Sequence, residues 1–405
     1  MKNAQSNTPQ IRFPNFSEPW IENSLSQLFE EISNKIGEKK IETYSITAGK
    51  GFVSQKKKFG KDISGTQNKN YTHLLPGDFS YNKGNSKSYK YGCVYLNNFD
   101  FDIAVPNVFI SFRSKANDIS NDFFQQLFMA HKLDRGLRRI ISSTARMDGL
   151  LNVNKNNFFK LKVTYPKLIE EQEEISEFLI QVDKWIENQK KQAFSLTEYK
   201  KGVVQKLFTQ EIRFRNESGD DYPTWVKKHL GELFLERNVK NGGKNYQLLS
   251  VKIHGGVVLQ GDTNKTDSSN SDKSKYKVVR VGDIAYNTMR MWQGASGVSQ
   301  YEGIVSPAYT VVYPKNGDSN FYGYLFKHPR TIFNFYRYSQ GLTSDTWNLK
   351  FQHFSEVEVT VPSDIEEQKK IATFLSSIDE LIKHKEKQIA LAEQWKKGLL
   401  QQMFV

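Results

Sequence analysis

Two long stretches of the chain carry apolar residues at alternating steps of three and four, which is the pattern of a coiled-coil seam. No proline or glycine interrupts the stretch between Pro166 and Gly202, nor the one between Pro362 and Gly398. At 1.5 Å per residue, the pattern predicts two helices of about 40 residues, each roughly 60 Å long. The seam positions are Ile175, Phe178, Val182, Ile186, Ala193, Leu196, Val203 and Leu207, and then Ile371, Phe374, Ile378, Ile382, Ile389, Ala392, Leu399 and Met403.

Both seams contain a polar residue at the same heptad step, Gln189 in the first and Lys385 in the second. A polar seam residue can set the register between two particular helices, or mark where the pair opens to admit a partner. A solvated step in a long helix gives the same pattern. The sequence leaves these interpretations open.

The segments before each seam predict mixed α/β domains. Short β-rich runs at Val105–Phe112 and Tyr309–Tyr313 alternate with loops rich in Gly, Asn, Ser and Lys. Helical patterns lie around Ile21–Ile32, Asn121–Leu133 and Phe321–Tyr338.

The chain is an internal duplication with a spacing of about 200 residues. Residues 169–208 align with 365–404 without a gap, at 16 identities in 40 positions. The segments between these repeats match much less well, so the order is variable, constant, variable, constant. We therefore predict variable domains at 1–162 and 214–360, and constant helical regions at 163–213 and 361–405. The expected fold class is α+β, with two α/β domains separated by two long antiparallel coiled-coil helices in a pseudo-twofold arrangement.

Composition narrows the class of protein. The chain has 405 residues, with 38% hydrophobic and 13% aromatic content, which is typical of globular domains. No apolar run approaches the roughly 20 residues that span a bilayer, and the polar first ten residues do not resemble a signal peptide. The lone cysteine, Cys93, excludes disulfide frameworks and fits a reducing compartment, so we expect a cytoplasmic protein.

The net charge of +13 suggests a polyanionic partner, and its distribution shows where that partner would bind. Residues 1–162 hold 24 basic and 14 acidic side chains, a net charge of +10, and residues 214–360 hold 18 and 14, a net charge of +4. The helical regions 163–213 and 361–405 have net charges of −1 and 0. The excess therefore lies in the variable domains, and the helices favour a role as spacers or protein-binding surfaces.

The sequence offers no convincing catalytic or metal site. Its seven histidines are dispersed without metal-ligand spacing. It lacks a phosphate-binding loop, a dinucleotide-binding glycine pattern and a nucleophile elbow. We expect a chain without catalytic or metal-ligating residues.

Several motifs together resemble the specificity subunit of type I restriction–modification enzymes. Each helix opens with a Pro-x-x-x-Glu-Glu-Gln pattern, and a Gly-Asp pair precedes a strand ending in Asn in each domain. The first domain also begins with Arg-Phe-Pro and then Trp. The residues are Pro166 with Glu170-Glu171-Gln172, Pro362 with Glu366-Glu367-Gln368, Gly77-Asp78, Gly282-Asp283, and Arg12, Phe13, Pro14 and Trp20.

This resemblance covers residues 11–405 and implies a non-catalytic reader of DNA. Each variable domain would be a target-recognition domain that reads one half of a split, asymmetric sequence. The helices would hold the domains at a fixed distance and dock modification subunits, expected to be two. Those subunits would bind S-adenosylmethionine and methylate adenine, and separate restriction subunits would use ATP and Mg²⁺ to translocate and cut DNA. The chain itself would need no cofactor.

Candidate DNA contacts are mostly basic and amide side chains of the variable domains, together with two serines and one tryptophan. The Lys56–Lys58 run and the Arg138-Arg139 pair favour phosphate contacts, and a solvated charged face gives the same pattern. Arg and Lys can read guanine, and Asn and Gln can read adenine, although lysines in loops can equally contact phosphate alone. The candidates are Lys56, Lys57, Lys58, Asn82, Lys83, Ser86, Lys87, Arg138, Arg139 and Arg146 in the first domain, and Asn287, Arg290, Trp292, Gln293 and Ser344 in the second.

Candidate contacts with partner subunits lie on the helices. They combine the repeated opening motifs with seam positions that are aromatic or polar. The candidates are Glu171, Gln172, Phe178 and Gln189 on the first helix, and Glu367, Gln368, Phe374 and Lys385 on the second.

Two other functions are compatible with parts of the pattern. A basic coiled-coil scaffold outside restriction–modification would bind RNA and duplex DNA without preference. A self-sufficient nuclease would cleave DNA alone with Mg²⁺, but the missing motifs disfavour it.

Overall fold

A computed structural model of the protein describes residues 8–60, 65–84, 88–116, 118–141, 150–253, 255–262, 272–344 and 346–405. The chain forms two compact units. The first consists of Met1–Lys190 together with Lys387–Val405, and the second of Lys191–Glu386. Each unit therefore combines one variable segment with parts of both long helices. The predicted domain boundaries at 162, 213 and 360 stay a prediction, because the two compact units do not begin and end where the repeats of the sequence do.

The first unit contains the N-terminal part of one long helix and the C-terminal part of the other. Its strands are β1 (Ile21–Ser24), β2 (Phe29–Glu31), β3 (Tyr44–Thr47), β4 (Gly51–Ser54), β5 (Thr72–Leu74), β6 (Phe79–Asn82), β7 (Cys93–Leu96), β8 (Ile103–Val105), β9 (Ile110–Ser114) and β10 (Lys162–Tyr165). Its helices are α1 (Leu25–Leu28), α2 (Gln55–Phe59), α3 (Asn121–Met129), α4 (Asp134–Ile140), α5 (Lys155–Phe159) and the first part of α6 (Ile169–Phe208), and a 3₁₀ turn spans Gly65–Asn70.

A four-stranded antiparallel sheet in the order β2-β9-β6-β7 forms the centre of this unit. The pairs β1-β10, β3-β4 and β5-β8 are antiparallel ribbons around it. Phe79 lies opposite Phe112, and Tyr81 opposite Ile110, so alternate residues place their side chains on one face. All four are buried in a core that α3 covers with Phe123 and Phe124.

The second unit repeats this arrangement. Its strands are β11 (Val226–His229), β12 (Phe234–Glu236), β13 (Leu249–Lys252), β14 (Gly256–Leu259), β15 (Lys277–Val279), β16 (Ile284–Asn287), β17 (Ser296–Val298), β18 (Gly303–Val305), β19 (Tyr309–Pro314) and β20 (Glu358–Val361). Its helices are the second part of α6, α7 (Leu230–Leu233), α8 (Ser319–Leu325), α9 (Pro329–Tyr338), α10 (Phe351–Ser355) and the first part of α11 (Ile365–Gln402), with 3₁₀ turns at Gln260–Asp262 and Met291–Gln293.

The two units have the same sheet topology. The order β12-β19-β16-β17 repeats β2-β9-β6-β7, and β11-β20, β13-β14 and β15-β18 repeat the three ribbons of the first unit. Each strand thus corresponds to the strand ten positions earlier. This identity of topology confirms the mixed α/β character of both units and the duplication read from the sequence.

Helix α6 has 40 residues and α11 has 38, which confirms the predicted length. The two helices run antiparallel within each unit. In the first unit, Lys396 Nζ lies 2.5 Å from Asp183 Oδ1, and Lys190 Nζ lies 3.0 Å from Glu393 Oε1. In the second unit, Lys200 pairs with Asp379 at 2.5 Å. Since Lys200 and Lys396, and Asp183 and Asp379, are equivalent by a shift of 196 residues, the same ion pair occurs once in each unit.

The helix predicted at Ile21–Ile32 is wrong. The segment forms β1, the single turn α1, and β2. Leu25 and Leu28 are buried at a helical spacing, but Ile21 pairs with Tyr165 and Phe29 pairs with Ser114. Long-range pairing with two strands therefore overrides the local periodicity.

Three other predicted elements agree better with the structure. The helical pattern at Asn121–Leu133 corresponds to α3, which ends at Met129 shortly before His131 adopts a left-handed backbone with φ +61°. Phe321–Tyr338 forms α8 and α9 instead of one helix, because Pro329 has no amide hydrogen to continue α8 and starts α9 instead. Val105–Phe112 contains the end of β8, a turn and the start of β9.

The end of α11 is part of the core of the first unit. Phe404 lies 5.4 Å from Phe123 and 6.4 Å from Trp20 between ring centroids, and Lys132 Nζ donates to its carbonyl at 2.7 Å. Leu399 and Met403 are buried in the same core. Residues about 380 positions from β1 thus complete the hydrophobic core around it.

We predict that Phe404→Ala loosens the first unit by about 3 kcal/mol, because it leaves a cavity among buried aromatic rings. Hydrogen exchange of peptides from α3 should accelerate by roughly two orders of magnitude. Phe59→Ala, which truncates an exposed phenylalanine of the same unit, is the matched control and should leave α3 unchanged. Unaltered α3 exchange in the Phe404 variant would show that the end of α11 does not support this core.

Candidate nucleic-acid and partner interfaces

Each long helix is fixed to its own variable domain by a buried carboxylate. In the first unit, Glu171 accepts hydrogen bonds from Arg12 Nε at 2.7 Å and Arg12 Nη2 at 2.8 Å. Trp20 Nε1 donates to the same carboxylate at 3.1 Å. The hydrogen bond with Glu171 raises the pKa of Arg12, so its guanidinium stays protonated.

The second unit builds the same arrangement from Glu367, Arg213 and Trp225. Arg213 Nε and Nη2 donate to Glu367 at 3.0 and 2.8 Å, and Trp225 Nε1 donates at 3.1 Å. The Glu367 side chain has no exposed surface. We call each set of Glu, Arg and Trp the carboxylate clamp of its unit.

The glutamine after each clamp glutamate holds the start of the helix. Gln172 donates from Nε2 to the Pro166 carbonyl at 2.9 Å and accepts from the Ser120 amide at 2.9 Å. Gln368 makes the matching contacts with the Pro362 carbonyl at 3.0 Å and the Asp318 amide at 3.1 Å. The repeated proline and glutamine therefore belong to one capping arrangement in each unit.

Sequence analysis assigned Glu171, Gln172, Glu367 and Gln368 to partner binding, and this stays a prediction. All four side chains are buried and make hydrogen bonds within their own unit. In the structure these residues attach each helix to its domain.

The other predicted partner residues lie in the seam of the helix pair. Phe178 is half-buried and packs edge-on against Phe13 at 5.9 Å and Trp395 at 6.4 Å. Phe374 is also half-buried and packs against Phe214 at 5.6 Å. Lys385 donates to Gln192 at 2.9 Å, and Gln189 also has an interaction partner. Contact of these residues with a partner stays a prediction.

An exposed apolar groove of about 630 Å³ runs between the two helices in the first unit. Trp185, Leu391 and Trp395 stand on its rim with 48%, 57% and 51% of their surface exposed. Its lining residues are Phe178, Gln181, Val182 and Trp185 from α6, and Gln388, Leu391, Ala392 and Trp395 from α11. We call this surface the aromatic groove.

The second unit exposes apolar side chains at equivalent helix positions. Leu381 corresponds to Trp185, and Tyr199 corresponds to Trp395, by the shift of 196 residues. Both are more than half exposed, as is Phe194 on the same unit. Exposed apolar surface on the helix pair is therefore repeated in the two units, with larger aromatic side chains in the first.

The candidate DNA contacts of the first unit lie on separate elements. Lys56, Lys57 and Lys58 are exposed on α2, and Arg138 and Arg139 are exposed on α4. Lys83 lies after β6, where its carbonyl accepts from the Leu151 amide at 2.9 Å. Ser86, Lys87 and Arg146 lie outside the described residues.

Asn82 and Asn287 end equivalent strands and shape the loops that follow. Asn82 Oδ1 accepts from the Gly84 amide at 2.9 Å, and Asn287 Oδ1 accepts from the Met289 amide at 3.0 Å. Asn82 also donates from Nδ2 to the Ile46 carbonyl at 3.2 Å. Their side-chain oxygens thus stabilise the turns that present neighbouring residues.

In the second unit, the structure brings the candidate residues of two segments together. Arg290 and Gln293 are exposed in the loop after β16, and Ser344 is exposed in a hairpin whose described residues are 340–344 and 346–348 and whose ends, Gln340 and Asn348, form an antiparallel bridge. The Trp292 ring meets Trp347 of the hairpin edge-on at 5.2 Å, and the Leu349 amide donates to the Thr288 carbonyl at 2.8 Å. A groove of about 690 Å³ lies beside this junction, lined in part by Met289, Asn348 and Lys350.

The repeated Gly-Asp pair forms a tight turn before the central strand of each unit. Gly77 and Gly282 have φ near +88°, and Asp78 and Asp283 each accept from a backbone amide three residues earlier. Arg113 from β9 pairs with Asp78, whereas Arg237, which follows β12, pairs with Asp283. The two units thus neutralise equivalent buried carboxylates with arginines from different segments, β9 in the first unit and the residue after β12 in the second.

Sequence analysis missed the residues that form the rim of the aromatic groove and the tip of the hairpin. Trp185, Leu391 and Trp395 lie outside the predicted seam, and large apolar residues at such positions were the available signal. Trp347 and Leu342 lie in a short polar segment that gave no periodic pattern.

The described residues show neither a cluster suited to a metal ion nor a helix able to cross a membrane. Among them, no group of three or more His, Cys, Asp and Glu side chains could hold a metal. No helix in the described part of the chain is long and apolar enough to span a bilayer.

The two units share one topology, and in each unit a carboxylate clamp attaches the variable segment to a long helix. These features define a duplicated protein of the specificity-subunit class. The family model of the type I restriction modification DNA specificity domain matches residues 3–195 and 224–394. This covers most of the chain, and the protein therefore belongs to that family.

Three solved structures resemble this chain over nearly its whole length. The S subunit of a type I restriction–modification system from M. genitalium has a TM-score of 0.59 at 13% identity, covering 98% of this chain and 99% of that one. A chain from a structure on complex assembly and conformational transition of the type I R-M system has a TM-score of 0.50 at 15% identity, covering 96% and 99%. The HsdS subunit from Thermoanaerobacter tengcongensis has a TM-score of 0.47 at 15% identity, covering 96% and 97%.

We predict that Glu367→Gln lowers the stability of the second unit by about 3 kcal/mol, since it leaves Arg213 without its carboxylate partner. Hydrogen exchange of peptides from β11 and β20 should accelerate. The neighbouring Glu366→Gln, which changes an exposed residue of the same motif, is the matched control and should have little effect. Equal exchange in the two variants would mean that the clamp does not hold the unit together.

Proposed function

We propose that this chain is the DNA sequence-recognition subunit of a type I restriction–modification complex. Each unit reads one half of a bipartite, asymmetric DNA site through the loops of its variable segment. The helix pair docks modification subunits, one on each unit. The observation that carries the proposal is that one topology occurs twice, with different side chains on equivalent loops.

The equivalent loops after β6 and β16 illustrate this point. Both begin with an asparagine that stabilises the turn, Asn82 in one unit and Asn287 in the other. The following residues then differ, being Lys-Gly-Asn-Ser-Lys in the first and Thr-Met-Arg-Met-Trp-Gln in the second. A common scaffold with different donors suits two half-sites of different sequence.

Charge supports the same division of tasks. The variable segments carry net charges of +10 and +4, while the helical regions carry −1 and 0. Phosphate contacts need lysine and arginine, which the variable segments supply in excess. A nearly neutral helix pair with exposed apolar side chains suits a protein partner instead.

The aromatic groove is the docking surface that we assign to a modification subunit. Contiguous exposed apolar surface marks protein contacts, and buried tryptophan is enriched among residues that dominate binding energy. A second, smaller groove of about 430 Å³ adjoins the aromatic groove, and Leu391 and Trp395 line both. The repeated exposure at Tyr199 and Leu381 offers the second unit an equivalent surface, which suits two copies of the partner.

The chemistry of the complex then resides in the partners. This chain recognises DNA and is not itself catalytic. The modification subunits supply S-adenosylmethionine, and the restriction subunits, reached through the complex, use ATP and Mg²⁺. The complex acts in the cytoplasm, where its duplex DNA substrate is found.

Mapping methylated adenine in the genome tests the recognition role. We predict a bipartite motif, and replacing residues 12–160 with another variable domain should change one half of that motif only. The unaltered half is the internal control, because it depends on the second unit. A change in both halves or in neither would contradict one domain for each half-site.

Binding of the complex to duplex DNA and to RNA of equal length distinguishes the scaffold alternative. Preference for duplexes that contain the mapped motif supports recognition of DNA. Equal affinity for RNA and any duplex would favour a scaffold outside restriction–modification.

For docking, we predict that Trp395→Ala weakens association with the modification subunit by at least about tenfold, since it removes half-exposed aromatic surface that the partner would bury. Sedimentation or calorimetry of the purified proteins measures the effect. Val281→Ala, which truncates an exposed apolar residue on the second variable segment, is the control. Unchanged affinity of the Trp395 variant would exclude the aromatic groove as the docking surface.

A further inference from the structure

Lys327 lies two residues beyond the end of α8 and joins two loops of the second unit. Its Nζ donates to the Gly294 carbonyl at 2.5 Å and to the Ile253 carbonyl at 2.9 Å. Ile253 follows β13, and Gly294 ends the loop that follows β16. We call residues 288–294 the second-unit loop. Lys327 therefore ties this loop to the connection between β13 and β14.

The second-unit loop is compact at the end that Lys327 holds. The Gln293 amide donates to the Arg290 carbonyl at 3.0 Å. Gly294 has φ +79°, and a Cβ there would lie 2.9 Å from Ile332 Cδ1 of α9. The last residue of the loop is thus confined by α9 and by the amine of Lys327. The side chains of Arg290 and Gln293 are exposed.

The position of Lys327 is set by a helix that is bonded to α11. At the start of α8, the Asp318 amide donates to Gln368 Oε1 of α11 at 3.1 Å. Towards the end of α8, the Tyr324 hydroxyl donates to Asp379 Oδ2 of α11 at 2.7 Å. The lysine consequently follows a helix that is attached near both its ends to a long helix of the same unit.

The first unit has a different residue at this position. Ser120 caps α3 and Asp318 caps α8, and each side chain accepts from the amide three residues later. Nine positions beyond the cap lies Met129 in the first unit and Lys327 in the second. A methionine side chain has no N–H group to donate, so the bonds made by the lysine belong to the second unit alone.

The first unit anchors the equivalent loop end by another group. Gly92 lies two residues before the strand partner of Tyr81, Gly294 lies two before the partner of Tyr286, and both glycines have φ near +80°. The Tyr81 hydroxyl donates to the Tyr91 carbonyl, next to Gly92, at 2.7 Å. The Tyr286 hydroxyl is buried and has no hydrogen bond to the second-unit loop in the described part of the unit. Both units thus fix this loop end, and the second does so with the lysine that follows α8.

The surroundings of Lys327 favour a role towards the loop over a contact with phosphate. A lysine that binds phosphate extends into solvent, whereas burial lowers the pKa of Lys327 to about 8. Two of the three N–H groups of its ammonium are used by the Gly294 and Ile253 carbonyls.

We propose that Lys327 is a positioning residue for the second half-site, because it holds the second-unit loop where Arg290 and Gln293 reach the bases. The inference rests on the proposed function, and adds a residue that controls sequence reading without touching DNA. Arginine and glutamine read bases through hydrogen bonds of defined geometry, so a loop displaced by about 1 Å loses them.

The test uses the complex of the full chain with its modification subunits, and duplexes that carry the mapped motif. Single base-pair changes are placed in one half-site at a time, and the ratio of the two dissociation constants measures discrimination. Lys327→Met gives the second unit the residue that the first unit has at this position. Discrimination in the second half-site should fall by about tenfold, within the range that one base contact supplies. Discrimination in the first half-site should not change and is the internal control.

Further variants separate positioning from other roles. The salt dependence of binding should be unchanged in Lys327→Met, because the lysine contacts no phosphate. Lys327→Arg should keep most of the discrimination, since a guanidinium also offers donors for two carbonyls. Lys315→Met removes another lysine of the same unit, which donates to the Gly231 carbonyl at 2.8 Å, and is the matched control. It should leave discrimination in both half-sites unchanged.

Hydrogen exchange of peptides from β16 and β19 shows whether each variant keeps the fold of the unit. If Lys327→Met unfolds it, Lys327→Gln takes its place. The shorter glutamine side chain cannot reach both carbonyls, so the same selective loss is expected.

Unchanged discrimination in the second half-site of the folded variant would overturn the positioning role. An equal loss in the first half-site, or in Lys315→Met, would overturn it in favour of a general loss of stability. A weaker salt dependence in Lys327→Met would overturn it in favour of a phosphate contact. If the natural complex binds the motif no better than other duplexes, the proposed function itself fails.

Discussion

The two units depend on the carboxylates buried beneath the starts of the long helices. A desolvated carboxylate is tolerated only with its hydrogen bonds complete, so each clamp requires a glutamate, an arginine and a tryptophan in place together. In the first unit these are Glu171, Arg12 and Trp20, which come from the helix and from the segment that leads into β1. The clamp therefore fixes how a variable domain sits on its own helix. Its loops can then change in sequence without altering the helix surface that the unit presents.

What repeats most closely in sequence is not what lies on the surface. The Glu-Glu-Gln motif supplies one exposed and two buried side chains in the second unit, where only Glu366 meets solvent. Exposed apolar side chains also occur at equivalent helix positions of the two units, but their residue types differ. Leu381 corresponds to Trp185, and Tyr199 corresponds to Trp395. Attachment of helix to domain demands particular atoms at particular distances. Apolar contact demands only area, and so permits different side chains at equivalent positions.

Features governed by period or repetition were predictable from the sequence, whereas those governed by long-range pairing were not. The two long helices follow from uninterrupted seams, and the duplication follows from collinear motifs. Ile21–Ile32 has helical spacing yet forms strands, because partners more than 80 residues away complete its hydrogen bonds. The hydrogen bond from the Gly84 amide to Asn82 Oδ1 was also not predicted, because it depends on the conformation of a local turn. A large apolar residue outside the seam was a signal for Trp395, whereas the exposure of Leu342 could not be predicted, since it depends on which side of an element the rest of the unit covers.

The route of the chain through the two units has a consequence for biosynthesis. The second unit is one continuous stretch, Lys191–Glu386, and all its partners are present once that stretch has been made. The first unit needs Phe404, which is synthesised only after the whole second unit. The domain translated first is thus completed last, and its apolar core stays partly open while the second unit is synthesised. A cell making this protein must protect that opening for tens of seconds at the usual rate of about 5–20 residues per second.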